Sequence, residues 1–455
     1  MNTLMFELRQ IAHSRLAVAA IVLLALLSAL SVWTGLQAVR QQQAALERIN
    51  ASHARDFDAI AAKQFKGNEE NGAEAGALGY YLPHLTVNPP SPLAFAAIGQ
   101  RDLQPPALRV RLLGLQAQLY ESEAINPELA MPGRFDFAFV LVYLTPLFVI
   151  ALMHDLVSNE REAGRLRLLA SLPAGAADTW RRRVGLRYAL VWLAALAPLA
   201  LGAALAGAGV LGFAGVALVA TLYLGFWFGL AAWVAARART SSSSAAILLA
   251  CLVGLTMILP TLADATITRL APVSKGVELA LAQRQAVHGG WDIPKPVTFE
   301  KFFRSHPEWK DTAPVTGRFH WKWYYAMHQA GDDAVAADVA QYRASLQRRE
   351  EWTAAVGWLL APVNVQVLLH RLAASDLEAQ LAYQARIGAF HTRLRTFFYP
   401  YLFQERGFKR EDLARLPLYD SAAATGRLAL GQLAGLALMA LAALVVGLRT
   451  LRTPT

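Results

Sequence analysis

The residues whose types and spacing could do chemistry begin with the stretch SNEREAGRLRLLASLPAG, residues 158–175. Glu160 and Glu162 stand two apart among Arg161, Arg165 and Arg167, while Leu166, Leu168, Leu169 and Leu172 recur between the charges. A solvated loop with ordinary positive-inside charge would need neither the acidic pair nor the leucine face. The residues read instead as a short amphipathic helix, stopped by Pro173, Ala174 and Gly175, and such a helix suits a surface gripped by another protein. His306, His320 and His328 raise a metal site, but no paired cysteine or His-Glu-x-x-His accompanies them and the spacing of His320 and His328 matches no common ligand set. No metal is expected. No Gly-x-x-x-x-Gly-Lys-Ser/Thr occurs, so this chain cannot cradle nucleotide phosphates in a P-loop, and no Gly-x-Ser-x-Gly elbow offers a nucleophile. The run TSSSS at Thr240–Ser244 reads as a turn and helix start. Trp309, Phe319, Trp321, Trp323, Tyr324 and Tyr325 could contact a ring-bearing or lipidic ligand, anchor the chain at a bilayer interface, or fill a core. No catalytic residue is expected, and the chain reads as a non-enzyme.

The elements that must position these residues are apolar. The 455 residues are 55% hydrophobic and 17% charged, which excludes an ordinary soluble protein. A bilayer core takes roughly 20 apolar residues as a helix, and six segments qualify: 16–36, 135–156, 184–207, 210–235, 245–262 and 428–448. The Gly-rich GAALAGAGVLGFAG makes the third and fourth a hairpin. Arginines cluster at 1–15, 157–183, 236–244 and 449–455, which are alternate connections and so lie on one side, cytoplasmic by the positive-inside rule. Regions 37–134 and 263–427 then fall outside. The net charge of +10 is thereby assigned to lipid headgroups and orientation, and nucleic acid is excluded as a partner. The first span reads as an uncleaved anchor. Before it, Leu4, Met5, Leu8, Ile11 and Ala12 recur at helical spacing with Glu7, Arg9 and Gln10 opposite, which suits a helix lying in the interface. Cys251, the single cysteine, lies in a span and permits no intrachain disulfide. Gly225 with Gly229 and Gly431 with Gly435 have the spacing that lets helix backbones approach.

The pattern Glu-x-Glu-x-Gly followed by a leucine-rich turn and a proline, here Glu160, Glu162, Gly164, Leu168, Leu169 and Pro173, resembles the coupling helix of ABC-2 type ABC transporter permeases. The resemblance implies that residues 157–183 dock, through Arg161 and Arg165 as well, into a separate ATP-hydrolysing subunit that holds ATP and Mg, with no cofactor on this chain. Arg165 stands where that family commonly has a threonine. The leading helix with Glu7 and Arg9 looks like the family's elbow helix. SPLAFAAIGQRDLQP (Ser91–Pro105) and residues 360–403 look like a bacterial subgroup with a large extracytoplasmic domain of unassigned function. Implied with the resemblance are a second permease copy or a homologous permease, a periplasmic or envelope partner, and residence in the bacterial inner membrane with both termini cytoplasmic.

Read from the residues, the outside regions are mainly helical, so the expected fold class is an all-α membrane protein. Ser375 and Glu378 have capping-box spacing ahead of apolar Leu377, Leu381, Ile387, Phe390 and Leu394. Residues 332–360 and 46–65 are two further helix candidates, and 288–325, rich in proline and aromatics, reads as an irregular or short-strand region. The two outside regions are expected to assemble into one helical cap. Three functions are weighed against a transporter subunit: a transmitter that moves the outside domain against an envelope component or lipoprotein with no conduit, a membrane-anchored receptor or scaffold, and a membrane enzyme.

Overall fold

The computed structural model describes residues 3–66, 72–120, 134–166, 168, 175–273 and 276–452. Within them the chain is mainly helical, and six helices are long and apolar enough to cross a membrane. These are α2 (Arg15–Phe65), α5 (Phe137–Glu162), α6 (Gly175–Leu205), α7 (Val210–Arg237), α8 (Ser241–Leu270) and α15 (Leu430–Thr450). The protein is an all-α membrane protein, apart from one antiparallel pair, β1 (His84–Val87) against β2 (Ala107–Val110), with His84 opposite Val110. The residue pattern gave no hint of that ribbon, because each strand is only four residues long.

Several elements differ from the sequence reading. The helix that carries the first span does not stop near Leu36: α2 runs unbroken for 51 residues, roughly 75 Å at 1.5 Å per residue. Residues 37–65 contain neither proline nor glycine, so nothing halts the helix at the bilayer surface and the separate helix expected at 46–65 is its continuation. Leu46, Ala61 and Phe65 on this extension are buried against the loop domain. The region 288–325 is not strand-like either. It holds α10 (Lys295–Ser305), started by Pro296 in its first turn, then enters α11 (Trp321–Ala334), whose N-cap is His320. The helix that follows Ser375 is capped by Asp376, whose side chain accepts from Ala379 N, and Ser375 instead donates to Ala97 O at 2.7 Å. The serine run does begin a helix: Thr240 and Ser243 form a reciprocal capping box and α8 starts at Ser241.

The spans share one core. Within it α7 and α15 approach closely: a Cβ on Gly229 would lie 2.3 Å from Ala443 C and one on Gly447 would lie 2.3 Å from Gly229 O. Backbone-to-backbone contact of this kind supplies dispersion energy where lipid offers no hydrophobic drive. Gly225 and Gly435 also face side chains across helices, at 3.3 Å from Leu444 and 3.1 Å from Trp358, whereas Gly431 faces open space.

The loop domain has its own core, in which Phe65, Leu78, Leu82 and Val110 from the first region pack with Phe302, Tyr325, Phe390 and Phe398 from the second. The remaining elements are α3 (Ala75–Tyr81), α4 (Leu115–Leu119), α9 (Gly276–Gly289), α12 (Ala336–Gly357), α13 (Ala361–Leu372) and α14 (Leu377–Phe403). Asp332 on α11 joins the two regions: it accepts from Leu115 N at 2.9 Å at the start of α4 and from Arg395 Nη2 at 2.8 Å, both charged groups being buried. His84 is walled by the rings of Phe57 and Phe390.

Two predictions follow from this packing. Gly229→Ala should loosen the α7–α15 contact at a cost of about 1–3 kcal/mol, the usual range for overpacking, read as a lower midpoint in thermal unfolding, whereas Gly431→Ala should leave it unchanged. The second concerns pH. Loss of solvation in the core lowers the pKa of His84 from 6.5 to about 4 and of His328 from 6.5 to about 3. Both folded values lie below the unfolded one, so the unfolded chain takes up protons that the folded domain refuses. Stability is therefore complete above 6.5 and declines as the pH falls toward 4 and then 3. Thermal unfolding at about pH 7.5 and about pH 4.5 should show a fall that His84→Phe reduces.

Candidate functional site

The arginine-rich ends of the spans meet in one place. At the end of α5 the turn Ser158–Glu162 stops in a Schellman arrangement: Arg165 N donates to Glu160 O at 2.9 Å and Gly164 N to Arg161 O at 3.0 Å, with Gly164 at φ +72. A side chain with a Cβ is strained at that φ, which accounts for the glycine of the motif. The chain returns to helix at Leu166 and Leu168, so the single helix expected from Ser158 to Pro173 is broken at Gly164. Leu169 and Pro173 lie outside the described residues.

Glu160 does not face outward. It is buried, with Oε2 2.7 Å from Arg165 Nε and Oε1 2.9 Å from Arg183 Nη1. Arg183, on α6, also reaches Glu7 on α1 (Thr3–His13) at 3.1 Å and lies over the buried ring of Trp180. One guanidinium therefore bridges two carboxylates from separate helices, the charge-assisted geometry that arginine favours. Glu7 turns toward the bundle, whereas Met5, Leu8 and Arg9 are exposed. Arg161 donates to the carbonyls of Ala236 and Ala238 at the end of α7. Glu162 accepts from Ser241 N at 2.8 Å, satisfying an orphan donor at the start of α8. The segment's charges thus tie α1, α5, α6, α7 and α8 together, and Leu168 stands 68% exposed beyond them. Arg183, the hub, drew no attention in the sequence because a lone arginine in an RRR run signals only orientation.

At the opposite ends of the spans a collar joins the bundle to the loop domain. Residues 93–97 and α13 both belong to the span core rather than to the loop core. Ser91 Oγ donates to Ala373 O, Gln100 N to Ser375 O at 2.8 Å, and Ala138 N to Ala96 O at 2.9 Å. Asp136 caps α5 through Phe139 N at 2.9 Å and accepts from Ile98 N at 2.8 Å. Phe95 fits only because Gly35 on α2 and Gly202 on α6 have no side chain: a Cβ would lie 2.0 Å from Phe95 O and 2.9 Å from its ring. α13 packs on α7 and α15 and touches the π-helical turns Val140–Leu144 of α5 and Gly254–Ile258 of α8. Asn364 Nδ2 donates to Gln432 O at 3.1 Å and Gln366 Nε2 to Tyr143 Oη at 2.8 Å. Sequence reading placed α13 wholly outside. Its Asn, Gln and His residues disguise an apolar face whose partners are on distant spans.

The aromatic candidates separate. Trp309 stacks with Phe403 at 5.7 Å, Trp321 lies against Gly76, and Trp323 is buried beneath Lys295, so these three are packed into the loop domain. Tyr324 lines a cavity with Trp291 and His328. His306, His320 and His328 do not converge: His306 stacks on Phe302, His320 caps α11, and His328 is held by Gly114 N.

The profile of a family described as a domain of unknown function (DUF3526) matches residues 277–421, from α9 to the approach of α15. No curated protein and no solved structure matches the chain.

Removing the hub should free α1. Arg183→Ala leaves Glu7 and Glu160 without their shared partner, so amide exchange across residues 3–13 should rise by at least about tenfold, equivalent to about 1.4 kcal/mol. Arg183→Ala combined with Glu7→Gln and Glu160→Gln should exchange more slowly than the single variant, because neither largely buried carboxylate is then left charged without Arg183.

Proposed function

We propose that this chain is the permease subunit of an ABC-2 type transporter, in which separate ATPase subunits holding ATP and Mg drive the export or movement of a substrate. The observation that carries the reading is the Glu7–Arg183–Glu160 network, which fixes the turn at Gly164 to α1 and α6. A force applied to the exposed side of residues 158–168 passes to the spans without a flexible link, as packed elements switch between discrete arrangements. Within this reading the arginine-rich end is cytoplasmic, with both termini, and the membrane is the bacterial inner membrane. The division of labour differs from the one the motif alone implies. Glu160, Arg161 and Glu162 act inward as fasteners, whereas Leu168, Gly164 and the half-exposed Arg165 meet the ATPase. A second permease, identical or homologous, completes the bundle.

The collar supports a second reading. With α13 wedged among α5, α7, α8 and α15, span movements are passed to the loop domain, which then works mechanically on an envelope component or lipoprotein.

Purification in mild detergent should bring an ATPase with the chain. Leu168→Glu should abolish that co-elution while the variant inserts normally, and Glu160→Gln should retain partial co-elution but lower coupled ATP hydrolysis by about tenfold. Purification of the native chain with no ATPase would remove the proposal. A substrate crossing sealed vesicles with ATP favours transport, and ATP-dependent motion of the loop domain without any crossing favours the transmitter.

A further inference from the structure

Two cavities of the loop domain share part of their lining. The larger, about 660 Å³, lies between the outer end of α2, β2 and α9, and Arg109, Arg111 and Arg284 line it with Asp56 as the lining acid. The smaller, about 260 Å³, is a recess walled by Trp291 and Tyr324, whose rings stand 6.0 Å apart, with Gln283, His288 and His328 beside them. Leu113, Gln118 and Arg284 line both, so the basic cavity adjoins the aromatic recess. Arg109 is engaged by Asp56 at 2.9 Å, whereas the Arg111 guanidinium has no partner among the described residues.

His328 supplies an independent pointer. Its Nδ1 accepts from Gly114 N at 3.1 Å, so the ring proton of the neutral imidazole sits on Nε2. That Nε2 is buried and meets no acceptor among the described residues, and His328 is 9% exposed. A buried donor left unpaired is costly and is found where something outside the chain completes it. Desolvation keeps the ring neutral, with a pKa near 3.

We propose that these adjoining cavities form a binding site for an acidic saccharide, a pyranose bearing a carboxylate or phosphate. The acid lies against Arg111 and Arg284, and the ring lies on Trp291 and Tyr324, with His328 in the wall of the recess. The recess has room for a single ring, and indole and phenol faces bind the apolar face of such a ring while its oxygens accept hydrogen bonds. Guanidinium groups select the acid over the neutral sugar. Arg284, Trp291, Tyr324 and His328 lie within the matched residues 277–421, so the site belongs largely to that domain. It stands whether or not an ATPase drives the spans.

The test is saturation-transfer NMR on the full chain in lipid nanodiscs, with glucuronate, glucose 6-phosphate and glucose as probes and inorganic phosphate as competitor. The acids should give saturable ring-proton signals at concentrations at least about tenfold below glucose. Arg111→Ala should weaken the acids about tenfold and leave glucose unchanged, and Trp291→Ala should remove the ring signal of every probe. Both residues are exposed, so neither variant disturbs the core. Dodecyl glucuronide placed in the nanodisc separates two sources: tighter binding than glucuronate supports a lipid-linked sugar, equal binding a soluble one. Equal binding of glucose and the acids overturns the proposal. So does an absence of binding at millimolar probe, or competition by inorganic phosphate matching glucose 6-phosphate with Trp291→Ala silent, which leaves a bare basic patch.

Discussion

The structure at the arginine-rich end depends on one guanidinium shared between two carboxylates. Arg183 holds Glu160 at the end of α5 and Glu7 on α1, and all three side chains are largely withdrawn from solvent. Withdrawing charges from water is expensive, and the arrangement persists only because each carboxylate accepts a directed hydrogen bond and Glu160 also takes one from Arg165. The consequence is geometric. A five-residue turn that would fray alone is pinned to two helices, and the Schellman stop at Gly164 sets the direction in which the next segment leaves.

The same principle operates at the other face with different materials. There the fasteners are hydroxyls, amides and one carboxylate meeting backbone groups: Ser91, Ser375, Asn364 and Asp136. Between the two sets lie spans that meet through glycines and apolar side chains, which permit close approach but little directional specificity. Polar contacts at both ends supply the register that the apolar middle lacks. The π-helical turns of α5 and α8 fall where α13 inserts, so the departure from regular helix occurs where an outside element must be admitted. An extended α2 of 51 residues adds a rigid post from the bundle into the loop core.

Much of the architecture was legible because lipid imposes simple rules. Runs of apolar residues long enough to span, and arginines in alternate connections, mark the helices and group their ends. Gly164 was legible as a motif residue, and its left-handed backbone explains why. The roles of the charged residues were not. Glu160 and Leu168 sit in one short segment and look equally available, yet one is buried and the other exposed, because Arg183 is supplied from a helix more than twenty residues on. Trp309, Trp321 and Trp323 are indistinguishable from Tyr324 by composition. Only the packing of α9 against α11 leaves Tyr324 beside a cavity.

The sequence by itself determined the class of protein, the helices long and apolar enough to cross a membrane and which of their ends belong together, since hydropathy and charge act locally and need no partner. Tertiary structure alone decided that α13 enters the span core, that Asp332 joins the two loop regions through Arg395, and that the Nε2 of His328 is left unpaired beside an aromatic recess. Each of these rests on groups far apart in the chain whose desolvation is set by their neighbours in space, and no local pattern of residues encodes that energy.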